Sequence, residues 1–400
     1  MDALLRRRAI IASGGFSIIP YIRGGADGSY IDTGIIPDNN TRVIVWARNF
    51  NPVPVSQMLF GYMDDGASTN SFGIGSWGAA SCGRIGVYFA NYTNPYTIVN
   101  DAFRYLGGYH KYELNGKVFS VDDVTLATST STDTITTSYS MHLFGRSSGG
   151  THTAMTLPAD ICACKIYKNG TLVRDYTAVN SPSVGLYDAV SNTVFTNAGT
   201  GSFTYGTFNP NAYAPLEYVS CTGAQYFDSG IKGTYALPIV ASFRPSTSTD
   251  SMWILGGRTS SSSKRCDFQL SSDGKTFYFG YQSTGNTVYN TTSQAGNDLV
   301  WIKSNNTSTL YKNNAQLGTI TGTTGSSFST DYNIGIGTLI QAGSLLSTVA
   351  FKGRIRYIGL GSSRSYVPAL VNGVAGLYDT YNDTFKPSSS STPFTAGTTL

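Results

Sequence analysis

Short runs of apolar residues recur along the whole chain, separated by turn-forming residues at intervals of about 8 to 15 positions. Residues 42–48 and 84–89 are two such runs, and both are rich in β-branched and aromatic side chains, which favour strands. No long stretch places apolar residues at the helical spacing of about 3.6. The pattern predicts an all-β protein built from many short strands.

Hairpin turns can be placed on this pattern at Asn115-Gly116 and at Asn169-Gly170. The dipeptide Asn-Gly supplies the two positive φ angles of a type I′ turn. In the second half of the chain, Asn313-Asn314 and Gly361-Ser362 are the expected counterparts, because these residues tolerate the same backbone geometry.

Several motifs occur twice, about one domain apart. Gly-Leu-Tyr-Asp at 185–188 recurs at 376–379, an offset of 191, and Phe-Thr at 203–204 recurs at 394–395 with the same offset. Tyr-Ile-Asp-Thr-Gly at 30–34 is matched by Tyr-Phe-Asp-Ser-Gly at 226–230, an offset of 196. Such a long period fits two whole domains in tandem and is too long for a solenoid or propeller repeat.

The repeat divides the chain into four segments. We predict an N-terminal attachment arm at 1–16, a first β-sandwich at 17–207, a linker at 208–215 and a second β-sandwich at 216–400. The linker contains two prolines and two asparagines, a composition that suits a short and fairly stiff connector.

Composition excludes several functional classes. Charged residues make up 12% of the chain, against about a quarter in an average protein, and the net charge of +4 predicts no broad basic face for nucleic acid. No run of about 18 apolar residues is present, so no membrane-spanning helix is predicted. The five cysteines do not occupy equivalent places in the two halves, which predicts free thiols and folding in a reducing cytoplasm; they are Cys82, Cys162, Cys164, Cys221 and Cys266.

The predicted arm combines Arg6, Arg7 and Arg8 with apolar neighbours that include Ile10 and Ile11. Its apolar run at 9–12 is too short for the hydrophobic region of a secretion signal. The segment is either an attachment arm or a frayed terminus. Since an arm of this composition cannot bury its own apolar side chains, we expect it to dock on a partner, with the arginines pairing acidic groups there.

The motifs together resemble a known family. The opening Tyr-Ile-Asp-Thr-Gly-Ile at 30–35, the Asn-rich turn at 38–41 and the closing Gly-Leu-Tyr-Asp and Asn-Ala-Gly-Thr-Gly, at 185–188 and 197–201, are similar to concanavalin A-like, laminin-G-type jelly-roll modules of bacteriophage and prophage virion structural proteins. The resemblance covers nearly the whole chain from about Tyr30, although Lys-Pro-Ser-Ser at 386–389 replaces the Asn-Ala-Gly segment in the second half. It implies two stacked antiparallel sheets per module and a role as a decoration, fibre or tail-associated protein. It implies no single ligand and no catalytic residues.

Residues for catalysis do not fall into a familiar arrangement. Glycoside hydrolases need two carboxylates across the scissile bond, but the only glutamates, Glu113 and Glu217, lie in different halves. His110, His142 and His152 all lie in the first half, without counterparts in the second or a Gly-x-Ser-x-Gly elbow. We therefore predict no enzymatic activity and no catalytic residue.

Metal and cofactor motifs are equally weak. Cys162 and Cys164 would share one face of a strand, where His142 or His152 could join them around zinc, but buried small side chains are the better interpretation. The aspartate pairs at 64–65 and 122–123 could hold calcium at a sandwich rim, although solvated turns explain them more simply. The match of 73–78 to a dinucleotide fingerprint opens no helix. We predict no metal and no cofactor.

Exposed aromatic rings are the remaining candidates for ligand contacts, since they can stack on sugar faces. The candidates are Trp77, Tyr92 and Tyr96 in the first half, and Trp253 and Tyr281 in the second.

The sequence thus predicts a virion structural protein, assembled in the host bacterial cytoplasm, that acts by protein–protein interaction and surface display. Its expected partners are other virion proteins, further copies of the chain and a host surface glycan, with no nucleic acid or membrane. One alternative is a carbohydrate-binding adhesin module that recognises a bacterial surface glycan. Another is an inactive or unrecognised glycosidase.

Overall fold

The computed structural model divides the chain into two compact units, Met1–Pro210 and Asn211–Leu400, called unit 1 and unit 2 below. The division falls inside the predicted linker. The residues that the structure describes are 16–26, 28–48, 57–64, 70–76, 85–90, 97–99, 108–153, 158–180, 182–206, 213–246, 251–260, 263–282, 284–289, 292–312, 315–321, 328–346, 350–361 and 364–399. The predicted arm, with Arg6, Arg7, Arg8, Ile10 and Ile11, lies outside these residues.

The strands of unit 1 are short and follow one another closely along the chain. They are β1 Ser17–Ile18, β2 Ile22–Gly24, β3 Ile31–Asp32, β4 Thr41–Arg48, β5 Gln57–Met63, β6 Ser71–Ser76, β7 Ile85–Phe89, β8 Thr97–Val99, β9 His110–Asn115, β10 Val118–Val121, β11 Val124–Thr128, β12 His142–Leu143, β13 Arg146–Ser148, β14 Thr151–Thr153, β15 Ala159–Lys168, β16 Thr171–Asn180, β17 Val184–Asp188 and β18 Thr193–Thr196.

The strands of unit 2 repeat this series. They are β19 Ala214–Pro215, β20 Val219–Thr222, β21 Phe227–Thr234, β22 Ile239–Pro245, β23 Met252–Ser260, β24 Ser263–Leu270, β25 Thr276–Gln282, β26 Thr284–Tyr289, β27 Leu299–Ser304, β28 Thr307–Lys312, β29 Ala315–Thr321, β30 Ser329–Ile336, β31 Ile340–Gln341, β32 Ser344–Leu345, β33 Lys352–Leu360, β34 Arg364–Val371, β35 Val374–Asp379, β36 Thr384–Lys386 and β37 Thr395–Ala396.

Each unit consists of a large sheet and a small sheet with the same strand order. In unit 1 the large sheet runs β11-β10-β9-β4-β15-β16-β17-β18 and the small sheet β14-β13-β5-β6-β7-β8. In unit 2 the large sheet runs β29-β28-β27-β22-β33-β34-β35-β36, and the small sheet contains β23-β24-β25-β26 in the positions of β5-β6-β7-β8. The chain is therefore all-β, with two tandem concanavalin A-like, laminin-G-type jelly-roll sandwiches as predicted. No helix among the described residues could cross a membrane.

The core of each unit lies between its two sheets. In unit 2, Trp301 of the large sheet stacks on Phe268 of the small sheet with ring centroids 4.3 Å apart and planes 2° from parallel. Trp301 is completely buried, and its indole N–H donates to the Ser308 hydroxyl, so the large ring leaves no unsatisfied donor inside the sandwich.

Two hairpin predictions need correction. The first turn comprises Gly116 and Lys117, because Asn115 is paired with Val118, and only Gly116 of the two has positive φ, which is the type II′ pattern. The second-half counterpart of this turn is Asn305-Asn306, between β27 and β28. Asn313 and Asn314, predicted as the counterpart, lie outside the described residues. The hairpin at Asn169-Gly170 forms as predicted, with φ angles of 49° and 78°.

Candidate binding cleft

A polar cleft of about 700 Å³ lies at one end of unit 1, where the turns between several strands meet. Three of these turns belong to the large sheet, and they form one side of the cleft. The segment that follows β11 forms the opposite wall. The residues around the cleft are Asn39, Asn40, Phe89, Asn115, Gly116, Lys117, Ser131, Thr132, Asp133, Asn169 and Gly170.

The first wall is a turn fixed by its own side chains. The Asp38 carboxylate accepts from the Asn40 N–H at 3.0 Å and from the Thr41 hydroxyl at 2.9 Å, while Lys168 forms an ion pair with it at 2.5 Å. Burial alone would raise the pKa of Asp38, but the hydrogen bonds from Lys168 and Thr41 hold that pKa below its ordinary value. The turn that carries Asn39 and Asn40 is therefore held before any ligand arrives.

The opposite wall is attached to this turn through Asn39. Its side-chain N–H donates to the Asp133 carbonyl at 3.1 Å, and its side-chain oxygen accepts from the Ile135 N–H at 2.7 Å. Within the wall, the Ser131 hydroxyl donates to the Asp133 carboxylate at 3.1 Å. These contacts join two segments that lie 94 residues apart along the chain.

The inner surface of the cleft offers amides, hydroxyl groups and two opposite charges. Asn40 donates to the Asn169 side-chain oxygen at 3.0 Å, which places two amides side by side. Lys117 and Asp133 contribute one positive and one negative group, so the lining is close to neutral. A side chain at Gly116 would come within 2.8 Å of the Asn39 carbonyl, so a glycine keeps this part of the rim open. Such a lining suits an uncharged ligand with many hydroxyl groups.

The corresponding end of unit 2 is held in a different way. Lys303, fully buried, donates to the carbonyls of Thr234, Tyr235 and Leu237 at 3.1, 3.1 and 2.7 Å. Burial lowers the pKa of Lys303. The residue of unit 1 that corresponds to Lys303 is Leu114. Lys303 pairs with Ile239 in unit 2, and Leu114 pairs with Val43 at the equivalent position of unit 1. An apolar residue therefore lies beside the cleft where unit 2 has a buried lysine.

Two of the five aromatic residues predicted to contact a ligand lie in the described part of the chain, and both are buried. Trp253 is 5% exposed, with the Arg258 guanidinium 5.1 Å from its ring centroid, and Tyr281 is 1% exposed, packed edge-on against Phe328. Neither ring is open for stacking, because Trp253 lies beside a register shift of β23 and Tyr281 faces the core of unit 2. Trp77, Tyr92 and Tyr96 lie outside the described residues, so their role stays a prediction.

The aspartates considered for calcium have other partners. Asp122 and Asp123 form the two-residue turn between β10 and β11, both with positive φ. The Asp122 carboxylate lies 2.7 Å from Nδ1 of His110, and the Asp123 carboxylate pairs with Lys111. Asp64 accepts from the Asn70 amide at 2.7 Å, while Asp65 lies outside the described residues.

The two sulfurs considered for zinc have unequal surroundings. A register shift of β15 at Cys162 interrupts the alternation of its side chains, so that Cys164 is buried and Cys162 only half-buried. Burial raises the pKa of both thiols, which disfavours the thiolate that zinc requires. Across the described residues, no group of three or more metal-binding side chains is assembled.

The two glutamates are both engaged in ion pairs. Glu113 accepts from Arg42 at 2.8 Å in unit 1, and Glu217 accepts from Arg356 at 3.2 Å in unit 2.

The sequence matches no protein-family model and no curated protein. Solved structures give weak likenesses. Domains LG4-5 of the mouse laminin alpha1 chain align over 96% of this chain and 95% of their own, with 13% identity and a TM-score of 0.29. A pentraxin of Limulus polyphemus covers 48% of this chain and 92% of its own, with 14% identity and a TM-score of 0.30. The CBM40 module of Ruminococcus gnavus IT-sialidase, bound to alpha2,3-sialyllactose, covers 36% and 89%, with 12% identity and a TM-score of 0.28. At these values the likenesses indicate no ligand and no activity.

Proposed function

We propose that this protein is a structural protein of a bacteriophage particle, placed as a capsid decoration, head fibre or tail-associated protein. It acts by protein–protein interaction and surface display and catalyses no reaction. The observation that carries the proposal is that polar residues repeated in both units stabilise the sandwiches themselves, through ion pairs between neighbouring strands and hydrogen bonds within turns. Asp188 of unit 1 and Asp379 of unit 2 are both buried and both pair with an arginine of the neighbouring strand, Arg174 and Arg364.

The same repeated residues also fix the turn that opens each unit. Gly34 and Gly230 donate their N–H groups to Asp32 and Asp228 at 2.9 and 2.8 Å. These contacts account for the Asp-Thr-Gly and Asp-Ser-Gly motifs as turn-forming elements. These repeated polar residues stabilise turns in both units, which supports a structural role for them over a catalytic one.

The partners we propose are other virion proteins, further copies of this chain and a host surface glycan. Attachment occurs through the arm at residues 1–16 and assembly takes place in the host bacterial cytoplasm. The free thiols of Cys164, Cys221 and Cys266 agree with assembly in a reducing compartment.

The proposal is tested by quantifying this chain in gradient-purified phage particles by mass spectrometry. We expect its peptides at a fixed ratio to the major capsid protein, and none in particles from a phage that lacks the gene. Detection only in the soluble lysate would overturn the proposal.

A second function, carbohydrate binding, is favoured by the cleft of unit 1. Its amide and hydroxyl groups, with charges of opposite sign at Lys117 and Asp133, offer both donors and acceptors to the hydroxyl groups of a neutral sugar. In this form the protein would act as an adhesin module for a bacterial surface glycan.

A glycan array probed with the full chain tests this second function. We expect selective binding to neutral bacterial glycans, and its loss in the double variant N40A/N115A. Gln316→Ala, which removes an exposed amide from unit 2, is the matched control and should bind normally. Equal binding by the wild type and N40A/N115A would exclude the cleft as the site.

A further inference from the structure

Two histidines of unit 1 face each other at the edge of the small sheet. His142 lies on β12 and His152 on β14, and their Nδ1 atoms are 3.3 Å apart. The ring of Tyr30 stacks on both imidazoles, with centroids 4.5 Å from His142 and 4.0 Å from His152. The two imidazole centroids are only 5.5 Å apart, so both rings lie side by side on one face of Tyr30.

His142 is buried, and His152 is half-buried with its Nε2 atom enclosed. His142 is 3% exposed, and Nε2 of His152 is buried without a hydrogen-bond partner among the described residues. A side chain at Gly145 would come within 2.3 Å of the His152 ring, so the chain turns past the imidazole only because this residue is glycine. Little space is left for water to solvate a charged imidazole.

The contact between the two Nδ1 atoms requires one donor and one acceptor. An uncharged imidazole carries one N–H, so a neutral pair meets this requirement with a single shared proton. When both rings are protonated, both Nδ1 atoms become donors and two positive charges face each other. The arrangement therefore stands only while at least one ring is neutral.

The charges around the pair do not compensate a second proton. Asp32 on β3 is the carboxylate that faces His142, and it already accepts from Ser140 at 2.5 Å. Arg146, on the strand paired with β14, is positive and donates to the Met63 sulfur. Among the described residues, 59–61 of β5 beside His142 and 197–199 beside Tyr30 are uncharged.

The balance favours neutral rings. Burial lowers the pKa of His142 despite the opposing effect of Asp32. Burial, and then the neighbouring His142, lowers the pKa of His152 to about 4.

Tyr30 connects this pair to the rest of unit 1. Its N–H donates to the Asn197 side chain at 3.0 Å, and its carbonyl accepts from the Ala198 N–H at 3.0 Å. The stacked rings therefore join the segment 142–153 to the opening and closing segments of the unit.

Unit 2 has the same frame without the histidines. The counterpart of His142 in unit 2 is Gly335. His142 pairs with Asp32 and Gly61, and Gly335 pairs with the equivalent residues Asp228 and Gly256. The strand that corresponds to β14 is Ser344–Leu345, which contains no titratable residue.

We propose that His142, His152 and Tyr30 form an acid-sensitive latch, which holds residues 142–153 against the opening segment of unit 1 at neutral pH and releases them on acidification. The latch acts on unit 1 alone. It is independent of the proposed function, because it concerns only the local stability of this unit.

Hydrogen exchange of the full chain, measured at pH 7.5 and pH 4.5 and corrected for the intrinsic rates, tests the latch. We expect residues 28–32 and 140–153 to exchange roughly 10- to 100-fold faster at the acid pH, because protonation of two histidines of ordinary pKa about 6.5 favours the open form. The double variant H142Q/H152Q should lose this acid response. His110→Gln, which removes the third histidine of the chain, should keep it.

An identical acid response in the wild type and H142Q/H152Q would overturn the latch. Should the double variant not fold, imidazole NMR of the wild-type protein decides the question. The latch requires His142 and His152 to titrate below pH 6.5, and titration of both at or above 6.5 would equally overturn it.

Discussion

The Asp188 carboxylate accepts a hydrogen bond from the backbone N–H of Asp175 at 2.7 Å. The same carboxylate accepts from the N–H groups of Val190 and Ser191 at 3.1 and 3.2 Å, so it ties the turn after β17 to the neighbouring strand. Asp379 repeats this role in unit 2, where it accepts from the N–H of Tyr381 at 3.1 Å. The last residue of each Gly-Leu-Tyr-Asp motif is thus a turn-forming residue.

Replacing Asp188 by alanine should destabilise unit 1 by about 2–3 kcal/mol, because it removes a buried carboxylate that accepts from three backbone N–H groups and pairs with Arg174. Urea unfolding followed by circular dichroism measures the loss. Asp123→Asn, at an exposed turn position of the same unit, should stay within about 0.5 kcal/mol of the wild type. If Asp188→Ala were as stable as this control, the turn-forming role would be wrong.

The tyrosines of the same motif are expected to be packing residues. Tyr187 packs against Phe16 and donates to the Asn192 side chain at 2.6 Å, and Tyr378 stacks on Tyr213 with centroids 4.4 Å apart. Truncating either tyrosine to alanine should cost its own unit about 3–5 kcal/mol, as loss of a buried aromatic ring does. Thermal unfolding detects this change. A stable variant that has lost ligand binding would instead assign the motif to a binding site.

Unit 2 should weaken at low pH through Asp298. Burial alone would raise its pKa, but hydrogen bonds from Arg244 and Arg356 hold the pKa below the ordinary value of 3.8. A carboxyl group with a lowered pKa stabilises the fold above its unfolded pKa, and this stability is lost as the pH falls below it. The urea midpoint of unit 2 should therefore fall between pH 5 and pH 3, and less steeply in Asp298→Asn. Parallel pH profiles for the two proteins would contradict this account.

The start of unit 2 can be set by truncation. Ala214 and Pro215 pair with β34, and Tyr213 packs on Tyr378, so a fragment that begins at Asn211 keeps contacts that a fragment beginning at Leu216 lacks. Both fragments should give β-type circular dichroism, and the longer one should melt at a higher temperature. Equal melting temperatures would show that residues 211–215 do not contribute to the unit.

The repeated motifs predicted the fold because each specifies a local turn or a buried ring. The cleft could not be predicted in the same way, since Asn39 and Asp133 approach each other only through the topology. The position of Trp253 was missed because exposed and buried faces of a strand exchange at a register shift, which composition does not reveal. The position of Tyr281 was missed because composition does not show that its side of β25 faces the core of unit 2. The sequence contained one indication of the histidine pair, because all three histidines of the chain lie in its first half.

The arm is expected to act in attachment only. Deleting residues 2–12 should leave the unfolding transitions of both units unchanged, while particle incorporation or oligomerisation is lost. Size-exclusion chromatography with light scattering, together with particle composition, measures both effects. Assembly of the deleted protein at the wild-type level would place attachment on a face of a sandwich.

The most direct test of the proposed virion role is electron microscopy of purified phage particles labelled with gold-conjugated antibodies against this chain. We predict label at one defined position, on the head surface or on the tail, in every wild-type particle and none in particles from the gene-deleted phage. Unlabelled wild-type particles, with the protein recovered only from the lysate, would contradict the account.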